Sequence, residues 1–140
     1  MDADVLFAGS ASPNEHSASN LLLRMSELTL IEALTSRQVI VEAESELSVK
    51  IPKALPAFRM LISRCLRVVE DRDRSELEAY TGSADPKDLP VLVAAVRESC
   101  AFLATFNLRH FQPGIPSIVV LRPGDLVLRV RYLLSSLKQE

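Results

Sequence analysis

The sequence predicts an α/β fold, a three-layer α/β/α sandwich around a short, mainly parallel sheet. Helical apolar patterns alternate along the chain with short apolar runs that end in turn residues, which is typical of parallel α/β proteins. Apolar residues make up 48% of the chain and aromatic residues only 5%, which suits aliphatic helices packed on a small buried sheet. At 140 residues, the chain is expected to form one domain, 1–140.

The first half is predicted to alternate helices with two strands. A turn is expected at Ser12–Glu15, and Ser17 or Ser19 can cap the helix that follows it. Pro52 is expected to stop a later helix. The predicted elements are a helix with Leu21, Leu22, Met25 and Leu28 on its apolar face, a strand over Thr29–Leu34, a helix from Ser36 to about Val49 with Val39, Ile40, Ala43 and Leu47 as its buried stripe, a helix over Ala54–Cys65 and a strand over Leu66–Val69.

The second half begins with a polar stretch that runs from Glu70 to Ser83. Pro90 places the next helix start near Asp88, because proline is tolerated only in the first helical turn. The remaining predictions are a core face of Val91, Leu92, Ala95 and Val96 on this helix, strands over Cys100–Thr105 and Ser117–Leu121, and a closing helix from Pro123 to about Lys138.

Charge and cysteine content disfavour several classes of protein. The net charge of −2 does not provide the broad basic field of a protein that coats nucleic acid. Cys65 and Cys100 have neither metal-ligand nor redox spacing, so we predict two small buried hydrophobic residues and a reducing, cytoplasmic location. No run approaches eighteen apolar residues, and we therefore expect no membrane segment.

Four separated acid or amide residues, Asp2, Glu42, Asp88 and Asn107, lie at the edges of apolar segments. The carboxyl ends of parallel strands gather at one edge of a sheet, where ligands usually bind. Oxygen atoms from carboxylates and amides are the ligands that Mg²⁺ prefers. The sequence therefore predicts a divalent-metal site assembled from distant segments.

Each of these residues also has an ordinary structural interpretation. Asp88 suits a helix N-cap, and Asn107 suits a left-handed turn after a strand. Glu42 shares a helix with Glu44 and Glu46, and helical phase alone does not select one of the three.

The order and spacing of four segments resemble the PIN domain family, a compact α/β nuclease module, over almost the whole chain. These segments are Asp2–Leu6, Ser36–Glu42, Asp85–Leu92 and Thr105–Phe111. The resemblance selects Glu42, with Glu44 as the second choice, through the offset from Ser36.

The resemblance implies a metal-dependent endoribonuclease that hydrolyses phosphodiester bonds of RNA. It places Asp2, Glu42, Asp88 and Asn107 around one or two Mg²⁺ or Mn²⁺ ions. Thr105 would add a hydroxyl that bonds Asp2 or a metal-bound water. Because Asn107 replaces an acid and brings no negative charge, we expect weaker metal binding than with four acids.

Three basic residues near these positions, Arg37, Lys87 and Arg109, are predicted to contact RNA phosphates. His110 has no partner evident in the sequence and is assigned no acid–base role. Members of the family often act as toxins, so the resemblance also implies a small antitoxin partner and a homodimer.

One departure from the family pattern concerns the start of the fold. The family has an apolar central strand that ends at the first aspartate, whereas only Met1 precedes Asp2 here. We expect this strand to be truncated, and we hypothesise that the natural protein carries several more residues of the type Val-Val-Leu before Asp2.

Two other functions fit parts of the sequence. The short start and Asn107 favour a noncatalytic RNA-binding or protein-interaction module with the same fold. A receiver-like or phosphatase-like domain with an aspartyl nucleophile would need a lysine after a late strand, but Asn107 and Pro123 stand there.

Overall fold

The computed structural model describes residues 1–11 and 17–137, so the turn predicted at Ser12–Glu15 lies outside the described residues. Helices and short strands alternate along the described chain. They are α1 (Ala3–Ala11), α2 (Ala18–Glu27), β1 (Leu34–Ser36), α3 (Arg37–Lys50), α4 (Leu55–Cys65), β2 (Arg67–Val69), α5 (Arg74–Glu78), α6 (Leu89–Arg97), β3 (Phe102–Ala104), β4 (Val119–Leu121) and α7 (Pro123–Ser135). Single 3₁₀ turns span Pro52–Ala54 and Leu108–Phe111.

The strands form two parallel pairs, β1 with β2 and β3 with β4. The amino group of Met1 donates to the Leu34 carbonyl at 2.7 Å, and the Asp2 N–H donates to the Ala104 carbonyl at 3.0 Å. Residues 1 and 2 therefore lie between β1 and β3 and join the two pairs. The α/β class with short parallel sheets is confirmed. Instead of one continuous sheet, the described residues form two, because only these two residues bridge the inner strands.

Local sequence explains where the main helices begin. The Ser17 hydroxyl accepts from the Asn20 N–H at 3.2 Å and caps α2, and the Ser36 hydroxyl accepts from the Val39 N–H at 3.3 Å and caps α3. These caps satisfy N–H groups that have no partner within the helix. Proline stands in the first turn of α4, α6 and α7, where its missing N–H costs nothing. The predicted caps and the stop near Pro52 are confirmed.

The strand predicted over Thr29–Leu34 is wrong. Thr29 has a left-handed φ of 64°, and its N–H donates to the Ser26 carbonyl at 3.0 Å. The Leu30 N–H donates to the Met25 carbonyl at 2.9 Å, which completes a Schellman ending of α2. The chain therefore turns here, and the strand begins only at Leu34.

Four further expectations need correction. The polar stretch after Glu70 contains the short helix α5, in which Arg74–Glu78 form one exposed or half-buried turn. On α6, Val91 and Leu92 are buried as predicted, but Val93 and Ala94 are also buried, whereas Ala95 and Val96 are only half-buried. The helix is covered on more than one face, so the apolar periodicity of the sequence did not identify all of its buried residues.

Cys65 is buried as predicted, whereas Cys100 is half-buried. Helix α7 ends at Ser135 rather than near Lys138.

Buried side chains form two clusters that meet at α1. The larger cluster contains Leu6 and joins α1 to α3, α4 and α6, and the smaller one contains Val5 and joins α1 to α2, β3 and α7. Val5 and Leu6 are both fully buried. Adjacent residues of α1 thus anchor the start of the chain in both clusters. None of the described helices is long and apolar enough to span a membrane.

Close packing of α1 against α2 predicts a stability defect for Gly9→Ala. A Cβ at Gly9 would lie 2.7 Å from Cδ1 of the fully buried Leu23 and 3.3 Å from the Ser19 carbonyl carbon and oxygen. We expect Gly9→Ala to lower the free energy of unfolding by about 1–3 kcal/mol in urea denaturation. Gly124→Ala is the matched control, because a Cβ there meets nothing within 4 Å, and alanine favours the helix. Equal stability of the two variants would contradict the packing argument.

Candidate acidic site

Asp2 is held at the carboxyl edge of β3. Its Oδ2 accepts from the Thr105 hydroxyl at 2.8 Å, and its Oδ1 accepts from the Ala3 N–H at 2.8 Å. Asp2 and Thr105 are both buried. The predicted hydroxyl near the site therefore contacts Asp2 directly. Since the Asp2 N–H also bonds to the end of β3, both the backbone and the side chain of Asp2 are fixed.

Asp4 is a candidate site residue that the sequence analysis missed. Its Oδ2 accepts from the Phe106 N–H at 3.0 Å and from Asn107 Nδ2 at 3.2 Å, while its Oδ1 is buried without a hydrogen-bond partner among the described residues. The Asp2-Ala3-Asp4 spacing was the available signal, because residues two apart at a helix start can both face the strand ends. Asn107 is exposed, and its N–H donates to the Thr105 hydroxyl at 3.0 Å.

Glu42 differs in its surroundings from the other two glutamates of α3. Glu44 pairs with Arg59 at 3.3 Å and Glu46 pairs with Lys50 at 2.7 Å. Glu42 is exposed and has no ion pair among the described residues. Partial burial raises its pKa, and the charges of Asp2 and Asp88 raise it further. The electrostatic surroundings therefore favour Glu42 over Glu44 as the third acid.

Asp88 lies at the N-terminus of α6, but its side chain makes no capping hydrogen bond. Its Oδ2 lies 2.9 Å from His110 Nδ1, although no aligned hydrogen bond reaches this buried oxygen. The His110 carbonyl accepts from the Asp85 N–H at 2.7 Å, so the Leu108–Phe111 turn is fastened to the loop before α6. His110 thus has a partner that sequence alone did not show, because the contact forms across two distant loops.

The acids repel one another across a shared surface. Burial raises the pKa of Asp4 to about 6, and the neighbouring charge of Asp2 adds to this shift. Burial also raises the pKa of Asp88, with Asp2 as the next cause, while His110 and Lys87 oppose the shift. Carboxylates with raised pKa values lack sufficient positive charge nearby. A bound cation would supply it.

The donor set fits a hard divalent cation as an open site. Within residues 1–11 and 17–137, no three His, Cys, Asp or Glu side chains are close enough to hold one ion. The donors are nevertheless oxygen atoms, and buried oxygens of Asp4 and Asp88 have no hydrogen-bond partner among the described residues. Mg²⁺ commonly uses one or two carboxylates and keeps several waters, so a closed cage of side chains is not required.

The three predicted basic residues lie on the surface. Arg37 pairs with Glu70 at 3.4 Å, and both side chains are exposed. Lys87 is exposed, and its charge lowers the pKa values of Glu42 and Asp88. Arg109 is exposed next to His110. The structure therefore brings Lys87 close to the acids and ties Arg37 to an exposed ion pair.

Fold and site together define an α/β protein with an acidic centre at the end of short parallel strands. Residues 1–109 match the family model described as PIN domain, and the chain belongs to this family. PIN domains are generally nucleases and typically use divalent metal ions. Neither curated proteins nor solved structures gave a significant match.

The raised pKa of Asp4 predicts that Asp4→Asn stabilises the metal-free protein at neutral pH. A folded pKa of about 6, above the ordinary 3.8, means that stability falls as pH rises between these values. In EDTA at pH 7.5, the variant should melt about 2–5 °C above the parent, and the difference should shrink at pH 4.

Asp73→Asn is the matched control for Asp4→Asn. Asp73 is exposed at the N-terminus of α5, where asparagine caps a helix as well as aspartate does. An Asp4→Asn gain that is absent at pH 7.5, or equally large at pH 4, would contradict the assignment.

Proposed function

We propose that this chain is an endoribonuclease that uses Mg²⁺ or Mn²⁺ to hydrolyse phosphodiester bonds of RNA. The observation that carries the proposal is the electrostatic coupling of Asp2, Glu42 and Asp88. These acids come from three distant segments, and the pKa values of Glu42 and Asp88 are raised by burial and by the charge of Asp2. Carboxylates with raised pKa values beside one another mark a candidate functional site.

Asp2, Glu42 and Asp88 would hold the cation, with Asn107 at the edge of the site. The Nδ2 group of Asn107 donates a hydrogen bond to Asp4, so the Oδ1 atom of Asn107 remains available to a metal ion or a water. Asp4 would compensate for the missing charge of Asn107, because the two side chains are in contact. When bound, the cation supplies Lewis-acid chemistry that offsets negative charge on the phosphate.

RNA would approach across the exposed basic residues. Lys87 lies near two of the acids, and Arg109 lies in the turn that carries His110. The pair between Arg37 and Glu70 is exposed on both sides, and such pairs contribute little to stability. Arg37 can therefore leave its ion pair with Glu70 and bind a phosphate at a small cost in free energy. As part of the same proposal, the chain is a toxin neutralised by a small antitoxin and forms a homodimer, which the family resemblance alone supports.

A second function, noncatalytic binding of RNA or protein, is favoured by one observation. Among the described residues, no three potential metal ligands of the His, Cys, Asp and Glu types lie within reach of one ion. In this case the acidic cluster would be a remnant of the fold, and the basic residues would act alone. The two functions differ in whether metal-dependent cleavage occurs.

We predict that Asp88→Asn abolishes metal-dependent cleavage. A labelled single-stranded RNA is incubated with the protein in Mn²⁺, in EDTA, and with the variant in Mn²⁺. We expect cleavage only by the parent protein with Mn²⁺ and a loss of more than about 100-fold in the variant, because one of few cation ligands is removed. Circular dichroism must show that the variant is folded.

The outcomes separate the two functions. Cleavage that persists in EDTA or in Asp88→Asn would contradict the proposed site. No cleavage by the folded parent protein, together with RNA retention in a mobility-shift assay, would support the noncatalytic function instead.

We predict that Glu42→Gln and Glu44→Gln have different effects although both residues lie on α3. Glu42 faces Asp2 and Asp88, so its variant should lose at least about 10-fold in Mn²⁺-dependent cleavage. Glu44→Gln removes only an ion pair with Arg59 on the surface and should keep nearly full activity. The rate of RNA cleavage at saturating Mn²⁺ is the measurement. A larger loss in Glu44→Gln would show that the wrong glutamate was assigned.

A further inference from the structure

Phe106 is an exposed aromatic residue beside the acidic site. It is 43% exposed, and it directly follows Thr105, whose hydroxyl donates to Asp2. Five of the seven aromatic residues of the chain are buried or half-buried, and the other exposed one is Tyr132 on α7. Single exposed apolar residues are common on protein surfaces. The position of Phe106, rather than its exposure alone, therefore makes it informative.

The backbone on both sides of Phe106 is fixed. The Phe106 N–H donates to Asp4 Oδ2 at 3.0 Å, and the Asn107 N–H donates to the Thr105 hydroxyl at 3.0 Å. The residue that carries the exposed ring is thus anchored to the acidic site, whereas its ring is accessible to solvent. Little backbone freedom is left to lose when a planar ligand binds this ring, which favours binding.

Two arginines lie on the same edge of the sheet as Phe106. Arg109 follows three residues later in a 3₁₀ turn, and Arg122 directly follows β4. The Thr105 N–H donates to the Leu121 carbonyl at 3.1 Å, so the ends of β3 and β4 are adjacent. Both arginines are exposed, and neither forms an ion pair in the described part of the chain. Arg122 also lies beyond the residues that match the family model.

An aromatic face next to positive charges is a combination that binds unpaired nucleotides. The base stacks on the ring, and the arginines bind the phosphates. We propose that Phe106 is a base-stacking residue, on which one unpaired base of the RNA lies while Arg109 and Arg122 bind phosphates of the same strand. This role rests on the proposed function, because a base held on Phe106 determines which phosphodiester bond reaches the acids.

Stacking on Phe106 distinguishes unpaired from paired RNA. Bases within a duplex are stacked on their neighbours, and a base must be unstacked before it can reach a protein ring, which costs free energy. Every base has a π face, so the contact tolerates different sequences. The arginines contact phosphates, which paired and unpaired RNA share. Loss of the ring and loss of an arginine are therefore expected to have different effects.

The test measures RNA binding without cleavage. Fluorescence anisotropy in EDTA gives the dissociation constants of a labelled single-stranded RNA and of its duplex. Phe106→Leu keeps an apolar side chain but removes the π face, so the dissociation constant of the single strand should rise about 10-fold, while that of the duplex stays unchanged. Phe106→Trp should bind the single strand at least as tightly as the parent protein. Arg122→Gln should weaken the binding of both RNAs.

A fluorescent base and a matched control complete the experiment. A fluorescent purine analogue in the single strand should be quenched when the parent protein is saturating, and this quenching should be absent with saturating Phe106→Leu. Tyr132→Leu is the control, because Tyr132 is exposed but lies about 14 Å along α7 from the start of the helix. Its RNA affinity should equal that of the parent. Circular dichroism must show that all variants are folded.

The outcomes separate the stacking role from the nuclease activity. Equal single-strand affinity of the parent and Phe106→Leu, or an equal loss for both RNAs, would overturn the stacking role, as would a parent protein that does not bind the single strand. If the parent cleaves RNA with Mn²⁺ and Phe106→Leu binds RNA as tightly, only the stacking role is wrong. If binding depends on Phe106 but Mn²⁺ gives no cleavage, the stacking role holds and the nuclease is wrong.

Discussion

Two backbone hydrogen bonds hold the centre of this protein together: Met1 to Leu34, and Asp2 to Ala104. They connect two strand pairs that have no other strand between them in the described chain. The next residues form α1, whose Val5 and Leu6 enter different core clusters. The position of Asp2 is therefore fixed by the same few residues that unite the fold. A disturbance of the chain start would move the acidic site and loosen the sheet together.

In the acidic site, hydrogen bonds hold carboxylates close together although their charges repel. Thr105 and the Phe106 N–H hold Asp2 and Asp4 in place, so these carboxylates cannot move apart to relieve repulsion. Burial, and after it the charge of Asp2, raises the pKa values of Asp4, Glu42 and Asp88. In contrast, the remaining glutamates of α3 are paired with basic side chains on the surface. The basic partners of these two glutamates therefore lie away from the acidic site, where Lys87 and His110 offset part of the charge effect on Asp88.

Much of the fold could be predicted from local signals. Ser17, Ser36 and Pro90 mark helix starts through capping and proline geometry, which depend on neighbouring residues only. The turn at Thr29 was not predicted, because a β-branched residue rarely adopts positive φ. Asp2, Glu42 and Asp88 were predicted from their order along the chain, whereas the contact of His110 with Asp88 depends on how two loops pack. Asp4 was missed because each acid was considered separately, although Asp4 lies only two residues from Asp2.

The two strand pairs and the acidic site are coupled through Met1 and Asp2. A short parallel pair has few hydrogen bonds to resist opening, and strands of three residues depend on their neighbours for stability. Met1 is restrained by Leu34 and by the Thr35 hydroxyl, which donates to its carbonyl at 3.0 Å. Because Asp2 is the next residue, the same bonds fix a carboxylate whose charge adds to the effect of burial in raising the pKa values of Asp4, Glu42 and Asp88. The connection between the two strand pairs and the geometry of the acidic site therefore depend on how firmly the first two residues are held.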